Sequence, residues 1–164
     1  MMIRRTNAVI IIALMLSACG YHLRGSSEAL IRDDLGSMYI SGLVDQSDFK
    51  RSLISSLGDQ GIEVTDDLEE ADSTLNMSTP VSSSRLISVN RLAQGIDYSL
   101  FLRSRISLQS STGETLIKPR EIEARRDLVA DPDDALGNDQ LETETKLELQ
   151  EALINVLLLQ LRAR

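Results

Sequence analysis

The segment Ile96 to Leu108 constrains the fold more than any other. In an extended chain Ile96, Tyr98, Leu100, Leu102, Ile106 and Leu108 face one way, while Asp97, Ser99, Arg103, Arg105 and Ser107 face the other. Side chains of a strand alternate between the two sides of its sheet, so this phase describes a strand with one buried and one polar face. Antiparallel sheets covered on one side have that character. The rest of the chain must supply neighbouring strands and a layer for the apolar side.

Downstream, Ser110 to Glu114 is a turn that makes a hairpin with a strand around Ile117 and residues 121–129. There Ile122, Ala124 and Leu128 share a face, and Pro119 predicts an irregular beginning. Upstream, Leu75, Met77, Thr79 and Val81 share one side of an extended segment starting at Ser73, and Leu86, Ile87 and Val89 keep it β-prone to Arg91. Pro80 and the serines 82–84 do not suit a central strand; they predict a bend, a bulge or an edge. Met38-Tyr39-Ile40, between Gly36 and Gly42, reads as a short first strand. Ile62 and Val64 begin an extended link, and Asp66 to Asp72 is a solvated loop or a short turn of helix.

Two stretches carry helical spacing. Phe49, Leu53, Ile54 and Leu57 lay one apolar stripe, capped by Ser47 or Asp48 and stopped by Gly58 and Gly61. After the turn Asp131 to Asp134, Asp139 is placed to cap a final helix from near Gln140 to about Leu161, with a core stripe of Leu141, Thr145, Leu149, Ala152 and Val156. Its second half adds Leu153, Ile154, Leu157, Leu158, Leu159 and Leu161, so it is apolar on more than one side. Such an end packs on the first helix or meets a partner. The predicted order is strand, helix, three strands, helix, an α+β domain over residues 36–164. With no tryptophan and 3% aromatic residues, its core is expected to be built mainly from Leu, Ile and Val with a few Met.

The chain's start follows a different logic. Arg4 and Arg5, the uncharged run Ala8 to Leu16 and the small residues before Cys19 have the three-part order of a secretory signal. The run is shorter than the ~20 apolar residues of a membrane span. Leu16-Ser17-Ala18-Cys19 reads as a lipobox, so residues 1–18 are expected to be removed, leaving Cys19 with a diacylglyceryl thioether and an N-acyl group. Residues 19–35 would form the lipidated tether. The competing reading is an ordinary secretory signal with an incidental cysteine. Several acyl chains hold where one does not, since each buried methylene contributes about 0.8 kcal/mol.

Charge limits the partners. The chain carries a formal net charge of −8, a poor footprint for nucleic acid. Past the signal segment only residues 85–126 are net basic, with 8 basic and 4 acidic side chains, among the basic ones Arg85, Arg91, Arg103 and Arg105. That cluster suits a phosphorylated ligand or an acidic surface; the alternative is that these arginines are exposed strand positions whose stems cover apolar surface. Catalytic groups are not assembled. His22 is the sole histidine, Cys19 the sole cysteine, and no phosphate-binding glycine loop, HExxH or nucleophile elbow is present. No catalytic residue, metal ligand or cofactor is predicted beyond the covalent lipid at Cys19, and an enzyme is not expected.

Cys19-Gly20-Tyr21-His22-Leu23-Arg24-Gly25 resembles the mature start of the LptE family of lipopolysaccharide-assembly lipoproteins. The element order, the Asp131-Pro132 turn and the acidic, leucine-rich last helix extend the resemblance over the mature chain. It implies two helices on one face of a four-stranded sheet, plugged inside an LptD-type outer-membrane β-barrel to support barrel assembly and lipopolysaccharide delivery. It also implies a ligand-contacting arginine in the loop between the second and third strands, matched here by Arg91 in Val89-Asn90-Arg91-Leu92-Ala93. A second basic position before the last helix is not matched: Gly137-Asn138 stands there, which shifts weight to Arg85, Arg103 or Arg105. Gly20 does not give the aspartate that retains enteric lipoproteins in the inner membrane, so the destination is the inner leaflet of the outer membrane. The open alternatives are a periplasm-facing lipoprotein binding another ligand or peptidoglycan without a barrel, and, less favoured, a lipid-anchored hydrolase.

Overall fold

The computed structural model describes residues 35–45, 47–92 and 94–163; the signal segment, Cys19 and all but the last residue of the tether lie outside them. The elements are β1 (Met38–Ser41), α1 (Asp48–Gly58), β2 (Val64–Thr65), β3 (Ser73–Met77), β4 (Val81–Val89), β5 (Gly95–Ser110), β6 (Thr115–Val129) and α2 (Ala135–Arg162). The alternating segment, as β5, is the axis of the sheet. Antiparallel β6 runs along one edge of it; along the other lie β4, from Val81 opposite Arg103 to Val89 opposite Gly95, and β3, from Ser73 opposite Ser110 to Met77 opposite Ile106. β1 joins β3 in parallel, and β2 joins β1 in parallel.

Among the described residues the four expected strands are thus six. β3 and β4 follow one another on the same edge of β5, one expected strand cut in two, and the link at Val64 closes as a two-residue strand. The cut falls at Ser78 to Pro80, where proline supplies no N–H and the ladder cannot run through. Ser78 makes good the loss. Its N–H donates to the Arg105 carbonyl (2.9 Å), its hydroxyl accepts from the Arg105 N–H (3.0 Å), and its carbonyl accepts from the Ser104 hydroxyl (2.7 Å). A register shift between Leu86 and Val89 adds a bulge, so the predicted bend, bulge and edge all occur in this strand.

Both helices cover the face that holds Leu75, Met77, Leu100, Leu102, Ile106 and Leu108. α1 is capped by Ser47, whose hydroxyl accepts from the Lys50 N–H (3.2 Å), and it buries Phe49, Leu53 and Leu57. The last helix begins earlier than expected, at Ala135, because Asp134 caps it through the Gly137 N–H (2.9 Å) and the Asn138 side chain brackets Asp131 (2.6 and 2.9 Å). Asp139 is therefore a residue inside the helix, not its cap. The buried stripe is Thr145, Leu149, Leu153, Ile154, Leu157, Leu158 and Leu161, with Ala152 and Val156 on its flank and Leu141 outside it. The broad apolar end fills the angle between sheet and α1, and only Leu159 of it stays exposed. Contrary to the compositional expectation, no valine is among the buried described residues; Val44, Val81, Val89 and Val129 are exposed. No described helix is long and apolar enough to cross a membrane.

The entry to β1 rests on one carboxylate. Asp72 Oδ2 accepts from the Ser37 N–H (2.9 Å) and the Ser37 hydroxyl (3.1 Å), which hold its pKa below the usual carboxylate value. A carboxyl depressed in the folded state stabilises above its unfolded pKa, and that share is lost as pH falls through the folded one. Urea midpoints followed from pH 7 to pH 2 should therefore fall less steeply for Asp72→Asn than for the parent chain below about pH 4. Equal slopes would mean that the bonds to Ser37 are not linked to folding.

Candidate functional site

The face of the sheet opposite the helices carries the polar phase of β5. Register sets its rows: Ser83, Phe101 and Arg125 lie side by side across β4, β5 and β6, with Arg85, Ser99 and Asp127 on one side and Val81, Arg103 and Glu123 on the other. Phe101 is out of phase with the apolar residues, yet only 8% exposed. Arginines rather than a helix cover it. The guanidinium carbons of Arg103, Arg85 and Arg125 stand 5.0, 5.7 and 5.7 Å from the ring centroid, within cation–π range.

Carboxylates hold two of the three. Arg103 Nε meets Glu123 at 2.5 Å and Glu121 at 3.9 Å, and Arg125 reaches Asp127 at 3.0 Å. Asp127 also accepts from the Ser99 hydroxyl (2.6 Å); that bond first, and Arg125 second, keep its carboxyl below the ordinary range. No ion pair of Arg85 or Arg105 occurs among the described residues. Arg105 follows Arg103 along β5 and, with Ser78, Val81, Ser83 and Glu121, borders a shallow depression of about 410 Å³ at the cut between β3 and β4. The site is a shallow, mixed-charge surface with cations to spare at two points, suited to binding through arginine forks.

Of the expected basic residues, the fold brings Arg85 and Arg103 together over Phe101 and sets Arg105 beside them. Arg91 stands apart at the tip of the β4–β5 hairpin. There the Asn90 side-chain carbonyl accepts from the N–H groups of Leu92 (2.8 Å) and Gln94 (3.0 Å), bracing a loop that presents Arg91 and Leu92 to solvent. Along the chain it lies at most about 20 Å from Arg85, the fully extended span at ~3.3 Å per residue. Reading the sequence for basic residues counts Arg125 only as one of the eight of residues 85–126, without singling it out, and misses Phe101 as a member of the site. The available signal is an aromatic residue on the polar phase of a strand. Among the described residues no three His, Cys, Asp or Glu side chains gather as a metal site.

A family model described as LptE, lipopolysaccharide-assembly, matches residues 35–161. The rare lipoprotein B of Shewanella oneidensis is similar in structure, with 20% identity, a TM-score of 0.59, and 73% of this chain and 86% of that one covered. An uncharacterized lipoprotein B of Nitrosomonas europaea gives 18% identity and a TM-score of 0.65 over 87% of this chain and 88% of that one. A minor lipoprotein of Acinetobacter baumannii gives 17% and 0.63 over 77% and 90%. At these identities the likeness is one of fold. No curated protein matches the chain.

Proposed function

The chain belongs to the LptE family of lipopolysaccharide-assembly proteins, and on that premise we propose that it is an outer-membrane lipoprotein that plugs an LptD-type β-barrel, supporting its assembly and the delivery of lipopolysaccharide. Residues 1–18 are removed, Cys19 carries the N-acyl and S-diacylglycerol lipid, 19–35 form the tether and 36–164 the working domain. The role is non-enzymatic and uses no cofactor other than that lipid.

The observation that carries this reading is the face of the sheet that no described helix covers. A sheet covered on one side offers its whole polar surface to a water-filled lumen, and Arg85 and Arg105 on it have no carboxylate of their own among the described residues. Lipopolysaccharide is a phosphorylated glycolipid, and arginine forks match phosphate oxygens. Arg91, on its braced loop, is the first candidate contact; Arg105 and Arg85 follow, and Arg103, already held by Glu123, comes last.

Extraction of the full-length lipoprotein in mild detergent is expected to bring with it a barrel protein in equal amount. Recovery of the lipoprotein alone would overturn the plug and favour a periplasm-facing protein with another ligand. Arg91→Asp is expected to weaken lipopolysaccharide binding about tenfold, the loss of one charge-assisted contact of about 1.5 kcal/mol. Unchanged binding would remove Arg91 from the site. Mass spectrometry of the mature chain should find it beginning at Cys19 with the N-acyl and S-diacylglyceryl groups attached, and an unmodified Cys19 would remove the lipid anchor from the reading.

A further inference from the structure

We propose that β4 is a docking edge, completed by an extended segment of a partner polypeptide that pairs beside it and sets a carboxylate against Arg85. This does not rest on the glycolipid reading; it competes with that ligand for Arg85, one of its later candidate contacts, and leaves Arg91 and Arg105 to it.

The two long edges of the sheet are built differently. Among the described residues β6 has β5 on one side only, and it is guarded as isolated edges are: seven of its 15 residues are charged, Pro119 interrupts it, and α2 packs against it. β4 also pairs with β5 alone, yet Arg85 is the single charge in its nine residues. Val81, Leu86, Ile87 and Val89 on it are all 49% exposed or more. This is the composition of a paired strand. The bulge at Leu86 to Val89 is its one internal irregularity.

Among the described residues the lane beside β4 is also vacant. β1 runs beside β3 and ends at Ser41 opposite Asn76, so nothing described continues it past the cut. On the helix side the lane meets an apolar cleft of about 140 Å³, bordered by Leu43, Val44, Phe49, Thr79, Pro80 and Leu102. On the open side it meets Arg85, the one guanidinium over Phe101 without a carboxylate partner among the described residues. An added strand alternates its side chains between these two surroundings. The occupant is thereby specified: apolar at one phase, acidic at a position of the other. A second copy fits poorly, since antiparallel pairing of β4 with itself about its centre sets Arg85 opposite Arg85.

The test is site-specific photocross-linking in growing cells, with a benzophenone amino acid placed in the full chain at Ser82, Ser83 or Ser84, all exposed, and at Lys118 on β6 as the control. Ser82 and Ser84 are expected to mark alternate residues of one partner segment and Ser83 the residue between them, with an Asp or Glu opposite Arg85. Arg85→Glu should lower the yield about fivefold, and replacing the partner's carboxylate by arginine should restore it. Three results would overturn the proposal: no β4 adduct above the Lys118 control, an adduct of two copies of this chain, or adducts scattered over a partner surface without alternation.

Discussion

Leu153→Ala is expected to lower the free energy of unfolding by about 2–5 kcal/mol, the cost of truncating a fully buried leucine of α2. Leu153 is fully buried, as is Leu157 one turn later, and both belong to the cluster that holds Leu53 and Leu57 of α1 and Ile106 and Leu108 of β5. The removed atoms lose their transfer free energy, and the space left can close only if helix and sheet both move. Interiors resist that. Leu159→Ala is the matched control: same helix, same chemistry, but a side chain 58% exposed, for which a change within about 0.5 kcal/mol is expected. Urea unfolding of the two variants decides whether the apolar end is core. Equal, small losses would return it to the role of an interface awaiting a partner.

How much of this is legible in the sequence depends on which interaction sets each feature. The alternation of Ile96 to Leu108 is local and dictates both faces of β5, so the one-sided sheet and its two helices follow from it. Pro80 announces a fault in the neighbouring strand but not its consequence, because whether a cut strand resumes on the same edge depends on Ser78 and Ser104 bonding across the gap. The start of α2 is misplaced in the sequence reading for a similar reason. Asp139 has a capping side chain directly before the run that starts near Gln140, whereas the cap is Asp134, which depends on the Gly137 N–H as its donor. The site is legible in part: Arg85, Arg103 and Arg105 stand out as basic strand residues, but only register shows that two of them meet Arg125 over Phe101. Valine is the plain failure. Its β-branched shape suits strands, and this chain keeps it at edges and ends while leucine and isoleucine fill the interior.

Gly42→Val is expected to cost about 2–4 kcal/mol, from two sources that can be separated. Gly42 closes β1 with φ at +85°, where a side chain costs about 1–2 kcal/mol by itself. A Cβ there would also stand 2.6 Å from the carbonyl oxygen of Met77, an atom of the β3 backbone that cannot swing aside as a side chain does. Either β1 parts from β3 or the cut at Ser78 shifts. Gly113 supplies the comparison, since its φ is also +85° but nothing lies within 4 Å of the added atom. Gly113→Val should therefore lose only the conformational part, and the difference between the two midpoints in urea measures the close approach of β1 to β3. Equal losses would show that this approach is not under load. A larger loss at Gly42 would mean that the end of β1 is pinned where the lane beside β4 begins, so that a strand docking there meets a fixed boundary rather than a yielding one.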